Sequence, residues 1–399
     1  MGAHQTGVAR YSGKSGGIAV RVFIETLRTI LQTAAGHINL LPATEGAQEE
    51  LTNVDDTERD DTRFSAEHIN VDTFLENPLP NWTYKEIKPI NRTENHIYRY
   101  FLDGSFRHYF IATGLEQDRA TPVFLAQTAL SILKRDDIGK LKRVMYEHKW
   151  LMMLAKSRLS DTAWNAILDE SKKAKIPLEL HDLAEQDPMT GKMDESRNLR
   201  ERGRGKTRYL MSKAEFIIVE NFKKKFPDHW LIKDGLLSLG SYGAGMSIPG
   251  VVAVAKSFTT TQKFTTRNGA KREKQNISTL LYNLPPHHRT PVFEGYGGNT
   301  GFWYLRLRKS TQLQFPLYGV IKIEIPNITE QPIITELIDI LSGALLAEQF
   351  VTPYGSDERW HTHLYPIYQA EQSAKQVFYS TEIIQGCINN ALRRIQYEQ

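Results

Sequence analysis

HIYRYFLDGSFRHYFIAT, residues 96–113, is where the character of the chain changes. Upstream, residues 44–64 are dominated by acidic and small polar side chains, which reads as a solvated loop or linker. From 96 to 102, aromatic and polar residues alternate, as along a strand with one buried face. Gly104 and Ser105 predict a turn, and 107–113 predicts a second strand, so the segment is expected to be a β-hairpin.

Working outward, the pattern predicts helices at 141–157 and 160–175, then a charged, turn-rich insertion at 184–206. The helix at 208–226 has the clearest periodicity in the chain. Short apolar runs at 230–233 and 248–256 read as strands, as do 302–307 and 316–325. Helices at 330–348 and 367–397 follow. This order of elements implies an α/β domain built on a mixed sheet, spanning 96–399. Residues 1–20 read as a flexible or partner-dependent segment. At 19–31, Val20, Val22, Phe23, Leu27, Ile30 and Leu31 form an amphipathic helix pattern. The 1–95 region carries no chemical motif, and it is expected to be an N-terminal docking or dimerisation extension whose apolar helix a partner would cover.

Composition narrows the class. The 399 residues include 50 Lys+Arg against 46 Asp+Glu, a formal charge of +4, so overall charge does not argue for nucleic acid. The distribution says more. Basic clusters occur at Arg200, Arg202, Arg204, Lys206 and Arg208; at Lys223, Lys224 and Lys225; at Arg267, Lys271, Arg272 and Lys274; and at Arg306, Arg308 and Lys309. Each suits either phosphate contact or a solvated face. A single cysteine, Cys387, excludes a disulfide framework within the chain and fits a reducing compartment. No apolar run reaches the length needed to span a bilayer, and no secretory h-region is present, so a cytoplasmic location is expected.

Three carboxylates stand out. Asp103 follows an aromatic strand and precedes a glycine. It is either a turn residue or a ligand for a divalent metal, since magnesium and manganese prefer carboxylate oxygens. Asp234 repeats the arrangement, with Leu-Ile-Lys before it and Gly-Leu-Leu after it. On the helix between them, Glu215 shares a face with Met211, Ile218, Val219 and Phe222. A charge there must be neutralised, paired or placed on a metal. Glu220 has Lys223 and Lys224 at helical spacing and so has a simple surface reading. Gly205-Lys206-Thr207 imitates a phosphate-binding loop but lacks the earlier glycine and the leading strand, so nucleotide binding is not expected.

These pieces, in this order, resemble the NurA nuclease family. The matching segments are FLDGS at 101–105, the helix bearing Glu215, LIKDGLL at 231–237, GVVAVAKS at 250–257 and YPIYQAEQSAK at 365–375. The resemblance covers roughly residues 100–380 and implies an RNase H-like core. It also implies manganese- or magnesium-dependent cleavage of DNA, and a homodimer docked on a hexameric HerA-type DNA-translocating ATPase. DNA-end processing and anti-phage defence both suit such a complex. Asp103, Glu215 and Asp234 would be the metal ligands, with Glu220 an alternative to Glu215, and Lys256 would contact a phosphate. The family's late motif has His after Ala, whereas this chain has Ala370-Glu371. Glu371 would therefore replace that ligand, or His361 or His363 would reach in; the two histidines also read as a surface pair. Tyr296, Phe302, Trp303 and Tyr304 are candidates for base stacking, the last three also for the core. The rival readings are another RNase H-like nuclease, PIWI-type or RNA-cleaving, and a DNA-end adaptor without catalysis.

Overall fold

A computed structural model describes residues 16–43, 48–49, 75–92, 96–183, 199–237, 247–258, 260, 263–268, 271–295, 299–309, 316–327, 332–350 and 359–398. The acidic stretch at 44–64, apart from residues 48–49, lies outside the described residues, as do Tyr296 and the 184–198 part of the insertion expected at 184–206; its last part, 199–206, is helical. The expected α/β architecture is present. The described residues form one mixed sheet of 13 strands with helices on its faces.

The strands that carry the argument are β1 (Tyr98–Glu116), β2 (Arg119–Arg135), β3 (Leu141–Leu154), β4 (Leu178–Asp182), β5 (Trp230–Asp234), β6 (Val251–Ala255), β7 (Thr300–Arg306) and β8 (Val320–Pro326). The helices are α1 (Gly16–Ala35), α2 (Asp161–Lys173), α3 (Leu199–Lys225), α4 (Ile277–Tyr282), α5 (Thr335–Ala347), α6 (Tyr365–Lys375) and α7 (Thr381–Glu398). Across the sheet the order is β7-β8-β6-β5-β1-β2-β3-β4. β1, β2 and β3 form an antiparallel meander, while β5 lies parallel to β1 and β6 parallel to β5.

The hairpin expected inside 96–113 is not there. β1 runs unbroken for 19 residues through Asp103 and Gly104, and the chain reverses after Glu116, where Gln117 takes a positive φ of 55°. Gly104 is a close-approach glycine. A Cβ on it would stand 2.5 Å from Leu130 Cδ2 and 3.3 Å from the Ala129 carbonyl oxygen. The expected helix at 141–157 is also corrected, since it is strand β3 followed by one 3-10 turn at Lys156–Arg158. In the run from Trp150 to Leu154 every residue is buried, because helices cover both faces of the sheet there. A strand buried on both sides loses its alternation, and Leu and Met are helix formers, so local pattern and tertiary context disagree.

The two faces are distinct. On one, α3 lays Ala214, Ile218, Val219 and Phe222 against Tyr100, Leu102, Leu130, Leu231 and Val251. On the other, α5 and α6 pack on Phe101, Ile232, Val252 and Ile323. Further along that second face, α1 and α7 pack on β1, β2 and β3. Phe23, Leu27, Ile30 and Leu31 meet Ile384, Ile388 and Leu392, and Phe23 stacks on Trp150 at 4.2 Å. The apolar stripe read at 19–31 is thus buried by this chain's own elements. The region before residue 96 also adds Asn39–Pro42 to the edge of β1, and supplies Glu76, whose carboxylate pairs with the fully buried Arg289.

Candidate functional site

The parallel pairing of β1 and β5 sets Leu102 opposite Lys233, which brings Asp103 and Asp234 into neighbouring register. β6 pairs Val254 with Asp234, and Lys256 follows just past its end. Successive residues on a strand point to opposite faces. Asp103 faces the α6 side. Its β2 partner Ser131 carries a hydroxyl that bonds Ser373 Oγ of α6 at 2.9 Å. Glu371 lies on the same helix, two residues earlier.

Asp103, Asp234, Lys256 and Glu371 therefore form one electrostatic cluster. Lys256 Nζ stands 3.0 Å from Asp234 Oδ1. Asp103 is only 7% exposed. Its Oδ1 accepts the Gly104 N–H at 2.7 Å, and its buried Oδ2 has no hydrogen-bond partner among the described residues. Burial pushes the Asp103 carboxyl well above the usual carboxylate range. The nearby Asp234 and Glu371 charges push it the same way, against the opposing effect of Lys256. The Lys256 ammonium is desolvated, which alone would lower its pKa. Asp234, Asp103 and Glu371 overcome that and push it up to about 12. Glu371 is also paired with Lys375, one turn on, at 2.6 Å.

Glu215, expected as a third ligand, is not in this cluster. Its Oε1 lies 3.5 Å from where a Gly104 Cβ would be, which puts it on the α3 face, across the sheet from Asp103. Its Oε2 pairs with Lys233 Nζ at 2.7 Å. The reason lies in helix phase. Residue 215 belongs to the stripe Ala214, Ile218, Val219 and Phe222 that faces the sheet, and Lys233, adjacent to Asp234, points to that same side. Glu220 is half-buried, outside that tightly buried stripe.

The two late histidines are buried, not a surface pair. His361 Nδ1 accepts the Gly319 N–H at 2.9 Å and its ring stacks on Tyr318 at 4.2 Å, while His363 is 6% exposed. Phe302, Trp303 and Tyr304 are core residues. Several basic candidates have structural work. Arg306 donates to the carbonyls of Tyr318, Leu281 and Pro316, and Lys223 donates to those of Pro227 and His229. Gly205-Lys206-Thr207 lies inside α3, where the buried Thr207 hydroxyl bonds the Gly203 carbonyl, so no phosphate loop exists there. Arg267, Lys271, Arg272 and Lys274 fall on a separate hairpin, Lys263–Asn268 with Lys271–Asn276, and their side chains are outside the described residues.

The donor set suits a hard divalent cation. It offers carboxylate oxygens, one of them buried without a partner, on groups that repel one another. Lys256 supplies one positive charge to three carboxyl groups. Among the described residues, no three His, Cys, Asp or Glu side chains already stand at metal-holding spacing. The polar residue missed by sequence reasoning is Lys233. It reads as an ordinary strand lysine, and its only signal is a position beside Asp234 inside an otherwise apolar run. No helix among the described residues is long and apolar enough to cross a membrane. The chain matches no protein-family model and no curated protein.

Proposed function

We propose that this protein is a divalent-metal-dependent deoxyribonuclease of the NurA type, with an RNase H-like core. The observation that carries the reading is the neighbouring register of Asp103, in β1, and Asp234, at the end of the adjacent parallel strand, with Glu371 of α6 within electrostatic reach of Asp103. The strand order supports it. An antiparallel meander β3-β2-β1, extended by parallel β5 and β6, is the arrangement expected of an RNase H-like sheet.

In this reading Asp103 and Asp234 hold manganese or magnesium, with Glu371 where the family has histidine. Such a cation activates water and stabilises the leaving oxygen of a phosphodiester. Lys256 holds the Asp234 carboxylate in place and offsets the charge of the cluster. Lys375 restrains Glu371 at the rim. The buried Asp103 carboxyl, raised by its neighbours, must give up its proton before both its oxygens can act as ligands. DNA is the substrate, and a homodimer working with a hexameric HerA-type translocase is the assembly, both on the strength of the family resemblance.

The test is cleavage of linear single- and double-stranded DNA with manganese, with magnesium and with neither, alone and with a HerA-type ATPase. Wild-type protein is expected to cut only with metal. Asp103→Ala and Asp234→Ala are expected to lower the rate at least about 100-fold, because each removes a group acting on the reacting centre. Undiminished metal-dependent cleavage by Asp103→Ala would overturn the site. DNA binding without cleavage under every condition would leave an adaptor.

A further inference from the structure

We propose that Lys233, held by Glu215, is a positioning residue that fixes Asp234 from the opposite face of the sheet. The ammonium of Lys233 has three donors. It stands 2.7 Å from Glu215 Oε2, 2.8 Å from the Asp234 carbonyl oxygen and 3.1 Å from the Leu236 carbonyl oxygen. The side chain thus folds back under the turn that follows its own strand. It binds the main chain on both sides of Gly235, which has φ +79°.

The same turn is tied at two more points. The Gly235 N–H donates to the Val254 carbonyl at 3.0 Å, and the Leu237 N–H donates to Glu324 Oε2 at 2.9 Å. Glu324 is itself buried beside Lys322, at 2.9 Å. Register explains how these charges fit under the sheet. Ala253 pairs with Lys233 on one side and with Glu324 on the other, and its methyl group leaves room between them. Lys233, Glu215 and Glu324 are each less than a tenth exposed. A buried ion pair is costly to form and adds little net stability, so its presence here calls for a second reason. The turn it binds carries Asp234, whose Oδ1 meets Lys256 on the other face. A backbone gripped from below lets the carboxylate above keep one orientation when its surroundings change.

The inference rests on the nuclease reading only for its metal arm. Wild type, Lys233→Met, Lys233→Arg, Glu215→Gln and Asp234→Asn would be compared as full chains. Manganese alone would be titrated by electron paramagnetic resonance, and backbone amide exchange followed at Gly235 and Leu237. Lys233→Met is expected to speed exchange at both amides and weaken manganese binding at least about tenfold, as loss of a ligand's support does. Lys233→Arg should recover most of both. Glu215→Gln keeps an acceptor for Lys233 and should stay within about threefold of wild type, whereas Asp234→Asn should lose manganese binding. Manganese loss in Glu215→Gln equal to that in Asp234→Asn would make Glu215 a ligand and overturn the proposal. So would unchanged exchange in Lys233→Met. If Lys233→Met does not fold, the Arg and Gln variants decide the matter. If wild type binds no manganese, the nuclease reading fails, while the exchange data still judge the buttress.

Discussion

Lys256 Nζ lies 3.0 Å from Asp234 Oδ1, at the point where two parallel strands end beside the middle of a third. This pair lets a cluster of carboxyl groups exist inside the fold. Its contribution follows from the ammonium being pushed up to about 12 from an ordinary 10.5. A lysine with a raised folded-state pKa stabilises the fold fully below its unfolded value, and the effect is lost as pH rises through the folded value.

Lys256→Met is therefore expected to destabilise the fold, by about 2 kcal/mol from the pKa difference. Manganese should stabilise the variant more than the wild type, since the cation takes over the missing charge. Thermal melts with and without manganese check this. Equal metal-induced shifts in Tm for the two proteins would contradict it.

Asp103 shifts in the same direction, but here the form that folding favours is the neutral one. Its carboxyl is raised by burial, with Asp234 and Glu371 adding to the effect. The folded state therefore holds this proton more tightly than the unfolded state. Stability from this group is present at low pH and is lost as pH rises above the ordinary carboxylate pKa. Asp103→Asn should then melt at a higher temperature than wild type at neutral pH without metal, and should not cleave DNA. Added manganese should narrow or reverse the difference. A lower Tm for Asp103→Asn under metal-free conditions would show that the carboxylate is not under electrostatic stress.

Gly104→Ala tests the close approach between β1 and β2. The new methyl would meet Leu130 Cδ2 at 2.5 Å, and Leu130 is itself packed against α3. Overpacking of this kind is expected to cost about 1–3 kcal/mol. It should also disturb the Glu215 carboxylate below and the Asp103 main chain beside it. Denaturant unfolding measures the first effect and manganese titration the second. A variant with wild-type stability would mean that Leu130 moves aside freely.

The features legible in the sequence are those that local chemistry dictates. The runs at 230–233 and 248–256 are short and largely apolar, the second rich in valine, and they form β5 and β6. Asp234, at the end of one, and Lys256, past the end of the other, were legible for that reason. Glu371 was visible as a departure from a motif. The meander was harder to read. The Asp-Gly pair of a hairpin and the Asp-Gly pair of a mid-strand contact are identical in sequence. What separates them is the Leu130 side chain, which arrives from another strand. Likewise, nothing local in residues 141–154 tells a strand covered on both faces from a helix. Glu215 needs a partner wherever it is buried, and that partner is Lys233 because of the side of the sheet to which α3 docks. His361 reads as a surface residue because its partners Tyr318 and Gly319 come from more than 40 residues earlier in the chain.

The contact between α1 and α7 also bears on how the chain is made. Ile384, Ile388 and Leu392 leave the ribosome more than 350 residues after Phe23, Leu27, Ile30 and Leu31, so α1 waits that long for the part of its cover that α7 supplies. During that interval part of the apolar stripe is open, the circumstance in which nascent chains engage chaperones or aggregate. Closure of this pair thus follows synthesis of the whole meander that carries Asp103.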